Sequence, residues 1–197
     1  MGLNIWFFRR PVMSRKVLIA VADGIEELEA ITIIDCLRRA GADLTVASVQ
    51  KREIVTSRKV KITADCLITD CTRQTYDLIV LPGGLPGAEF LRDSKELAEM
   101  LKKQKEAGRF YAAICASPAV VFEYHGLLAD KKATCYPAMA EKLKNKQATN
   151  QRVVVDGNCI TSQGPGTALE FSLKLVELLF GSEKSWELAK AMLAAGK

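Results

Sequence analysis

The sequence predicts an α/β sandwich, in which helices cover both faces of a mostly parallel central sheet. Short apolar runs alternate with longer segments of helical periodicity, without an internal repeat or a low-complexity linker. Strands separated by helices of this length favour parallel pairing and burial on both faces. In such sheets the chemistry collects at the carboxyl ends of the strands, so the loops that follow the strands are the first candidates for a functional site.

The first half of the chain begins with a continuous apolar run over residues 16–22 (KVLIAVA), which predicts a buried strand. A helix is predicted over 24–40 and ends at Gly41. Residues 43–49 predict a second strand, and the polar, β-branched segment 51–69 predicts a peripheral hairpin. Residues 77–81 (DLIVL) predict a short buried strand that ends at a proline and two glycines.

In the second half, residues 86–107 predict a helix, and residues 109–114 predict a strand that leads to Cys115. A short helix and an irregular stretch follow, and residues 153–161 predict a hairpin around an Asp-Gly-Asn turn. Residues 166–180 and 182–195 predict two closing helices. Together these elements fit one domain over residues 15–197.

Composition excludes several classes of function. Hydrophobic residues make up 49% of the 197 residues and charged residues 26%, as in an ordinary globular domain. The net charge is +5, but the four basic and no acidic residues of positions 1–16 supply +4, which leaves +1 for the rest. A nearly neutral body gives little support to nucleic-acid binding. The sequence contains no apolar run of 18 residues, so we expect no membrane span.

The six cysteines are scattered, without a C-x-x-C pair or a histidine-rich ligand spacing. This pattern predicts neither a metal site nor a disulfide framework, and it favours a reducing compartment such as the cytoplasm. Residues 1–14 are predicted to be an N-terminal extension, for which disorder is one option. This segment contains arginines and no acidic residue, which is compatible with a weak mitochondrial presequence. An extension without a specific role, with Met13 as a second possible translation start, is the favoured interpretation.

Cys115 is the strongest candidate for a reactive residue. It follows an apolar strand directly and precedes a helix start with Pro118, and Ala113 and Ser117 flank it at two positions on either side. A tight strand-to-helix turn that exposes a nucleophile requires such small neighbours. The start of a helix would favour a thiolate, so a lowered thiol pKa is expected. A small buried hydrophobic cysteine is the alternative interpretation.

Glu29 is the candidate partner of Cys115. Asp23 and Glu26 fit a capping box at the start of the first helix, but Glu29 shares an apolar row with Ile33. A carboxyl group on an apolar stripe is desolvated, so its pKa rises and it can hold a proton. Beside Cys115 it could donate a hydrogen bond to a thiolate and carry protons for a bound carbonyl. Structural capping is the alternative.

Gly83 and Gly84 follow a strand directly and could offer backbone N–H groups to an oxyanion, although a plain turn would explain them equally. The chain's one histidine, His125, lies ten residues after Cys115 and is interpreted as an exposed helix-end residue. A catalytic triad that requires histidine is therefore poorly supported.

Six ordered motifs extend this pattern over nearly the whole chain from Lys16: GIEELE (24–29), RRAG (38–41), SR (57–58), LPGG (81–84), AAICASP (112–118) and TSQGPGT (161–167). In these motifs the chain resembles the ThiJ/PfpI superfamily, and within it the branch of the Parkinsonism-associated protein DJ-one. The resemblance implies a flavodoxin-like three-layer sandwich and a homodimer, with the apolar first helix between subunits.

The resemblance also implies roles for particular residues. Cys115 would be the nucleophile or oxidisable thiol and Glu29 its protonated partner, and the N–H groups of Gly84 and Ala116 would form the oxyanion hole. The pocket would be lined by five further residues, two of them across the dimer: Gly83, Tyr136, Pro165, Arg58 and Arg39.

Family activities are cofactor-free, and they act on small aldehydes such as methylglyoxal or on glycated amines and thiols. The resemblance therefore implies a glyoxalase- or deglycase-like enzyme, with an oxidation sensor or redox-regulated chaperone as the alternative. Relatives of the protease type carry a histidine after the cysteine, where this chain has Ala116. The animal branch has a pocket histidine where this chain has Tyr136, which predicts weak turnover because tyrosine exchanges protons poorly near neutral pH.

Overall fold

The computed structural model describes residues 14–194 and shows three layers built around a seven-stranded sheet. The strands β1–β9 span Lys16–Val21, Asp43–Ser48, Glu53–Val55, Lys61–Thr63, Cys66–Leu67, Leu78–Leu81, Phe110–Ile114, Val153–Asp156 and Cys159–Ser162. The helices α1–α5 span Glu27–Ala40, Gly87–Asp93, Lys95–Glu106, Ala168–Phe180 and Ser182–Ala191. The sheet order is β5-β2-β1-β6-β7-β9-β8, with every neighbouring pair parallel except β8 and β9. The predicted flavodoxin-like three-layer sandwich is confirmed.

The sheet is buried on both faces because its central strands are apolar throughout. All residues of β6 and all but the first of β1 are buried. Helices α1, α4 and α5 pack together in one layer, and α2 and α3 pack together in another. The carboxyl ends of β1, β6 and β7 are neighbours, which brings the three loops after these strands to one edge of the sheet.

The first loop delays the start of α1 to Glu27, three residues later than predicted. Gly24 adopts φ +81°, a left-handed conformation that interrupts the helix, and its N–H donates to the Val55 carbonyl at 2.8 Å. Glu26 caps the helix, because its carboxylate accepts the Glu29 N–H at 2.8 Å.

The predicted capping box between Asp23 and Glu26 is wrong. The Asp23 carboxylate instead accepts the Val55 N–H at 2.7 Å and lies 3.2 Å from the Lys51 ammonium. These contacts tie the loop after β1 to the neighbouring β3, so Asp23 stabilises the position of a loop rather than the end of a helix.

Two other segments, each predicted as a single helix or hairpin, form more than one element in the structure. The helical segment 86–107 forms α2 and α3 with a break at Ser94, whose backbone is extended and whose hydroxyl accepts the Leu97 N–H at 3.3 Å. The predicted hairpin 51–69 forms the antiparallel pair β3–β4, and its last residues form β5 at the edge of the main sheet.

The predicted extension 1–14 lies outside the described residues except for Ser14. Within residues 14–194, no helix combines the length and the apolar character that a membrane crossing requires.

Candidate active site

Cys115 lies on a sharp turn at the carboxyl end of β7. Its φ is +64°, in the left-handed region that non-glycine residues rarely occupy, at a cost of about 1–3 kcal/mol. Two backbone hydrogen bonds hold this conformation: Cys115 N–H donates to the Ser162 carbonyl at 3.0 Å, and the Cys115 carbonyl accepts the Tyr136 N–H at 2.7 Å. The turn directs the side chain away from the strand, as a nucleophile elbow does.

Small residues around Cys115 are required by space. A Cβ atom on Gly83 would lie 2.5 Å from the Cys115 Cβ and 2.9 Å from the Ala116 nitrogen. Ser117 is fully buried, and its hydroxyl donates to the Pro82 carbonyl at 2.5 Å. The loops after β6 and β7 are therefore in direct contact, which fixes Cys115 against the glycine pair.

Glu29 approaches the same point from α1 and is fully buried. One carboxyl oxygen, Oε2, accepts the Gly83 N–H at 2.7 Å, and the other, Oε1, is buried with no hydrogen-bond partner of ordinary geometry within residues 14–194. Burial raises the pKa of Glu29 to about 7, partly offset by the Gly83 N–H and the Cys115 thiol. A substantial share of the carboxyl groups is therefore protonated at neutral pH.

The pKa of Cys115 is raised to about 12, first by burial, then by the negative charge of an ionised Glu29 and by the approach of the thiol proton to that carboxylate. The expectation of a lowered pKa is therefore wrong when Glu29 is ionised. The short helix predicted after Cys115 is present: it contains the π-helical turn Pro118–Phe122, and its hydrogen bonds extend from the Ala116 carbonyl to the Leu127 N–H. The start of this helix does not offset the burial of the thiol. Protonation of Glu29 removes its charge and turns its carboxyl into a donor, so ionisation of Cys115 is coupled to Glu29.

The backbone N–H groups of Gly84 and Ala116 act against the rise in the Cys115 pKa, because they favour a negative charge on the sulfur. Gly84 has φ +89°, and a Cβ there would lie 2.4 Å from the Glu26 nitrogen. The predicted role of these two N–H groups as an oxyanion hole stays a prediction.

Tyr136 and the segment around Pro165 lie beside Cys115. Tyr136 is joined to the Cys115 carbonyl through its backbone, while its side chain is 45% exposed. Its ring lies close to Gly164, because a Cβ atom added to that glycine would be 3.5 Å from the ring, an ordinary van der Waals distance. Pro165 begins a 3-10 turn directly after Gly164. The ring and this turn are therefore in contact with each other, and their predicted place in the pocket stays a prediction.

Within residues 14–194, the hydrogen bonds of the two predicted arginines join them to acidic residues of α1. Arg58 is exposed, and its backbone N–H donates to the Glu27 carboxylate at 3.1 Å. Arg39 is exposed near the carboxyl end of α1 and is paired with Asp35 at 2.7 Å. Their predicted roles across a dimer stay predictions.

His125 is not joined to the Cys115 loops by its ring. Its Nε2 lies 2.8 Å from the Arg92 carbonyl, and its ring packs edge-on against Tyr124. These residues line a cavity of about 370 Å³ between α2, α3 and the segment after the elbow.

Sequence reasoning did not identify two supporting residues. Ser162 holds the Cys115 N–H, and its position at the end of β9, within the TSQGPGT motif, was the available signal. Glu27 accepts the Ser57 hydroxyl at 3.1 Å as well as the Arg58 N–H, although its position alone suggested only a dipole complement. Among residues 14–194 no group of three or more His, Cys, Asp or Glu side chains could hold a metal ion.

Comparison with known proteins gives consistent matches. Residues 15–178 match the DJ-1/PfpI family. The chain is 55% identical over 90% of its length to Protein DJ-1 homolog B of Arabidopsis thaliana, but it spans only 41% of that relative. It is 35% identical to the Glutathione-independent glyoxalase DJR-1.2 of Caenorhabditis elegans, over 92% of this chain and 97% of the relative. The solved structure of Toxoplasma gondii DJ-1, oxidized, superposes with a TM-score of 0.90 at 47% identity, over 93% of this chain and all of that one.

Proposed function

This chain belongs to the DJ-1/PfpI family, and from that premise we propose that Cys115 and Glu29 form a cofactor-free site that converts small reactive carbonyl compounds such as methylglyoxal. The observation that carries the proposal is the fully buried Glu29 carboxyl, with a pKa of about 7, in contact with Cys115 on a strained turn. The 35% identical relative named a glutathione-independent glyoxalase supports the same class of substrate.

In the first step, a thiolate at Cys115 attacks the aldehyde carbon of methylglyoxal while Glu29 holds the proton. The carbonyl oxygen becomes an oxyanion next to the N–H groups of Gly84 and Ala116, which stabilise it. The Glu29 carboxyl then donates its proton to this oxygen, and a hemithioacetal results.

In the second step, the Glu29 carboxylate removes the hydrogen on the former aldehyde carbon as a proton and returns it to the neighbouring carbon, while the hydroxyl proton on the former aldehyde carbon passes to the oxygen of the neighbouring ketone group. The hemithioacetal thereby becomes the thioester of lactate, with no net oxidation. Water then cleaves the carbon–sulfur bond, which releases lactate and restores the thiol. For a glycated amine or thiol, the same attack by Cys115 would release the amine or thiol from its adduct.

Glu29 is suited to both proton transfers because its pKa lies near neutral pH. Tyr136 presents a phenol where an imidazole would exchange protons faster, so we propose that Glu29 carries most of the proton traffic and that turnover is weak. The reaction also requires reduced Cys115, which a reducing compartment such as the cytoplasm would maintain.

The test is replacement of Glu29 by Gln, followed by measurement of lactate formed from methylglyoxal. Gln keeps an oxygen for the Gly83 N–H but holds no transferable proton, so we expect lactate formation to be abolished. Glu89→Gln, which changes an exposed acid at the start of α2, is the matched control and should keep wild-type turnover. Undiminished turnover in Glu29→Gln would remove Glu29 from the mechanism, and undiminished turnover in Cys115→Ser would remove the whole proposal.

A second candidate function is an oxidative-stress sensor or a redox-regulated chaperone. The structural relative solved in an oxidized state favours it, and donors at Gly84, Ala116 and a protonated Glu29 could hold the oxygens of a sulfinate on Cys115. The two functions separate in a paired assay. The enzyme makes lactate when reduced, whereas the sensor protects a client protein from aggregation only after peroxide treatment.

We also propose that the active form is a homodimer that uses α1. Leu28 and Ile31 are 51% and 47% exposed on this helix, although its opposite side is buried in the protomer. Covering this apolar surface with a second copy would be favourable. Sedimentation analysis of Ile31→Glu against wild type tests this, with a shift to monomer expected and an unchanged dimer contradicting it.

A further inference from the structure

Cys66 and Cys71 form a close pair of thiols far from the Cys115 site. Their sulfur atoms are 3.4 Å apart, with Cys66 partly exposed and Cys71 buried. Cys66 lies on the edge strand β5, and Cys71 ends the 3-10 turn that follows it. Four strand positions separate β5 from β7, which is about 19 Å at ordinary strand spacing. The pair therefore cannot act on Cys115 directly.

The sulfur atoms of this pair lie close enough for a disulfide bond to form after a small movement. A disulfide bond needs the two sulfur atoms at about 2.05 Å, so the thiols have to approach by only about 1.4 Å. Both residues lie where the chain changes from an edge strand to a short turn. The strand that contains Cys66 pairs with β2 on one side and has no neighbouring strand on the other within the described part of the chain. A small rotation of side chains therefore suffices, without separation of buried strands.

A second, independent feature lies beside the pair. The Tyr76 hydroxyl is buried and has no hydrogen-bond partner of ordinary geometry among residues 14–194. Burial and the neighbouring Cys71 raise the pKa of Tyr76. The phenol therefore keeps its proton and can donate it toward the sulfur of Cys71 when that sulfur carries negative charge.

We propose that Cys66 and Cys71 are a second redox site, which hydrogen peroxide oxidises to an intramolecular disulfide. Cys66, the more accessible thiol, attacks one peroxide oxygen; the O–O bond breaks, and the departing oxygen leaves as water with the thiol proton. The Cys71 sulfur then attacks the resulting sulfenic acid at Cys66, the S–O bond breaks, and a second water leaves. Two thiols and one peroxide thus give one disulfide and two waters.

The reaction is slow at neutral pH. Burial, the hydrogen bond that the Cys66 thiol donates to Cys71, and the negative charges of an ionised Cys71, Asp70 and Asp65 raise the pKa of Cys66 to about 12. The thiolate is the nucleophile, so only a small fraction of Cys66 can attack at any moment. The site therefore responds to sustained exposure to peroxide rather than to a brief pulse, and it does so whether or not Cys115 has the proposed carbonyl activity.

The test uses the intact reduced chain and a feature of its sequence. Cleavage after Lys61 and Arg73 releases ITADCLITDCTR, a single peptide that contains both cysteines and no other. After prolonged hydrogen peroxide treatment, the protein is denatured, its free thiols are alkylated with iodoacetamide, and this peptide is analysed by mass spectrometry. We expect a peptide that is lighter than the reduced one by two hydrogens and carries no alkyl group.

The disulfide should form equally in Cys115→Ser, and a dithiol reductant should restore double alkylation. In Cys66→Ser the peptide should keep one alkylatable thiol at Cys71. The proposal is overturned if both thiols of the wild-type chain stay alkylatable after the prolonged peroxide treatment. It is equally overturned if Cys66 gains oxygen while Cys71 stays free, or if the peptide is linked to a second chain.

A measurement without any variant or oxidant gives an independent check. Phenylarsine oxide binds two close thiols by forming two sulfur–arsenic bonds and releasing water. The untreated wild-type chain should bind it in the same peptide, with loss of both alkylation sites. Retention of both sites would show that the two sulfur atoms do not reach each other, and it would overturn the proposal.

Discussion

Replacing Glu29 by Gln should make the protein more stable at pH 8 and leave its stability almost unchanged near pH 4.5. The cause is the cost of ionising a fully buried carboxyl group. In the folded chain the pKa of Glu29 is about 7, whereas its ordinary value is 4.5. This difference corresponds to about 3 kcal/mol, because one pKa unit is worth about 1.4 kcal/mol.

The sign follows from proton binding. Below about pH 4.5 Glu29 is protonated in both the folded and the unfolded chain, so its ionisation does not lower the free energy of unfolding there. Between pH 4.5 and about 7 the folded chain binds the proton more tightly, and the free energy of unfolding therefore falls as the pH rises. Above about pH 7 the loss levels off. Gln does not titrate, and it keeps an acceptor for the Gly83 N–H. The free energy of unfolding of the variant therefore does not fall with pH for this reason.

The assay is urea unfolding followed by circular dichroism at several pH values between 4.5 and 8. The difference in unfolding free energy between Glu29→Gln and wild type should increase with pH, to about 2–3 kcal/mol at pH 8. Glu89→Gln is the control for a lost surface charge and should follow wild type. The only proton that the Cys115–Glu29 pair loses in this range is the one near pH 7, because the pKa of Cys115 beside an ionised Glu29 lies above it. A difference that stays constant with pH would show that Glu29 is ionised throughout, and the proposed proton carrier would be lost.

Three further predictions concern the same site. Gly83→Ala places a Cβ 2.5 Å from that of Cys115, so it should lower the free energy of unfolding by about 1–3 kcal/mol in urea titrations, whereas Gly166→Ala, with open space around it, should not. Tyr136→His should increase the rate of lactate formation from methylglyoxal, because an imidazole exchanges protons near neutral pH, and an unchanged rate would show that the phenol is not limiting. The alkylation rate of Cys115 with iodoacetamide should level off above about pH 7 in wild type but keep rising with pH in Glu29→Gln; parallel profiles would show that the two groups titrate independently.

The arrangement of the sheet was predictable because each buried strand is a separate apolar run between helical segments. The juxtaposition of Cys115, Glu29 and the glycine pair was also accessible, since the loops after parallel strands share one edge. The sequence did not reveal that Ser94 divides one helical segment into two, because a polar residue within a helix gives the same local pattern. Nor did it reveal the role of Asp23, whose partners Val55 and Lys51 are set by packing between distant segments.

The sequence did not show whether the pKa of Cys115 is raised or lowered. The shift depends on which of two buried groups, the Cys115 thiol or the Glu29 carboxyl, holds their last shared proton. With Glu29 ionised, burial and the neighbouring charge keep the thiol protonated. The pair therefore loses its first proton near pH 7, and the remaining proton can lie on sulfur or on the carboxyl group. The ratio of these two forms does not depend on pH. The share of reactive thiolate should consequently reach a plateau above pH 7, whereas a lone buried thiol would become steadily more reactive as the pH approached its own pKa.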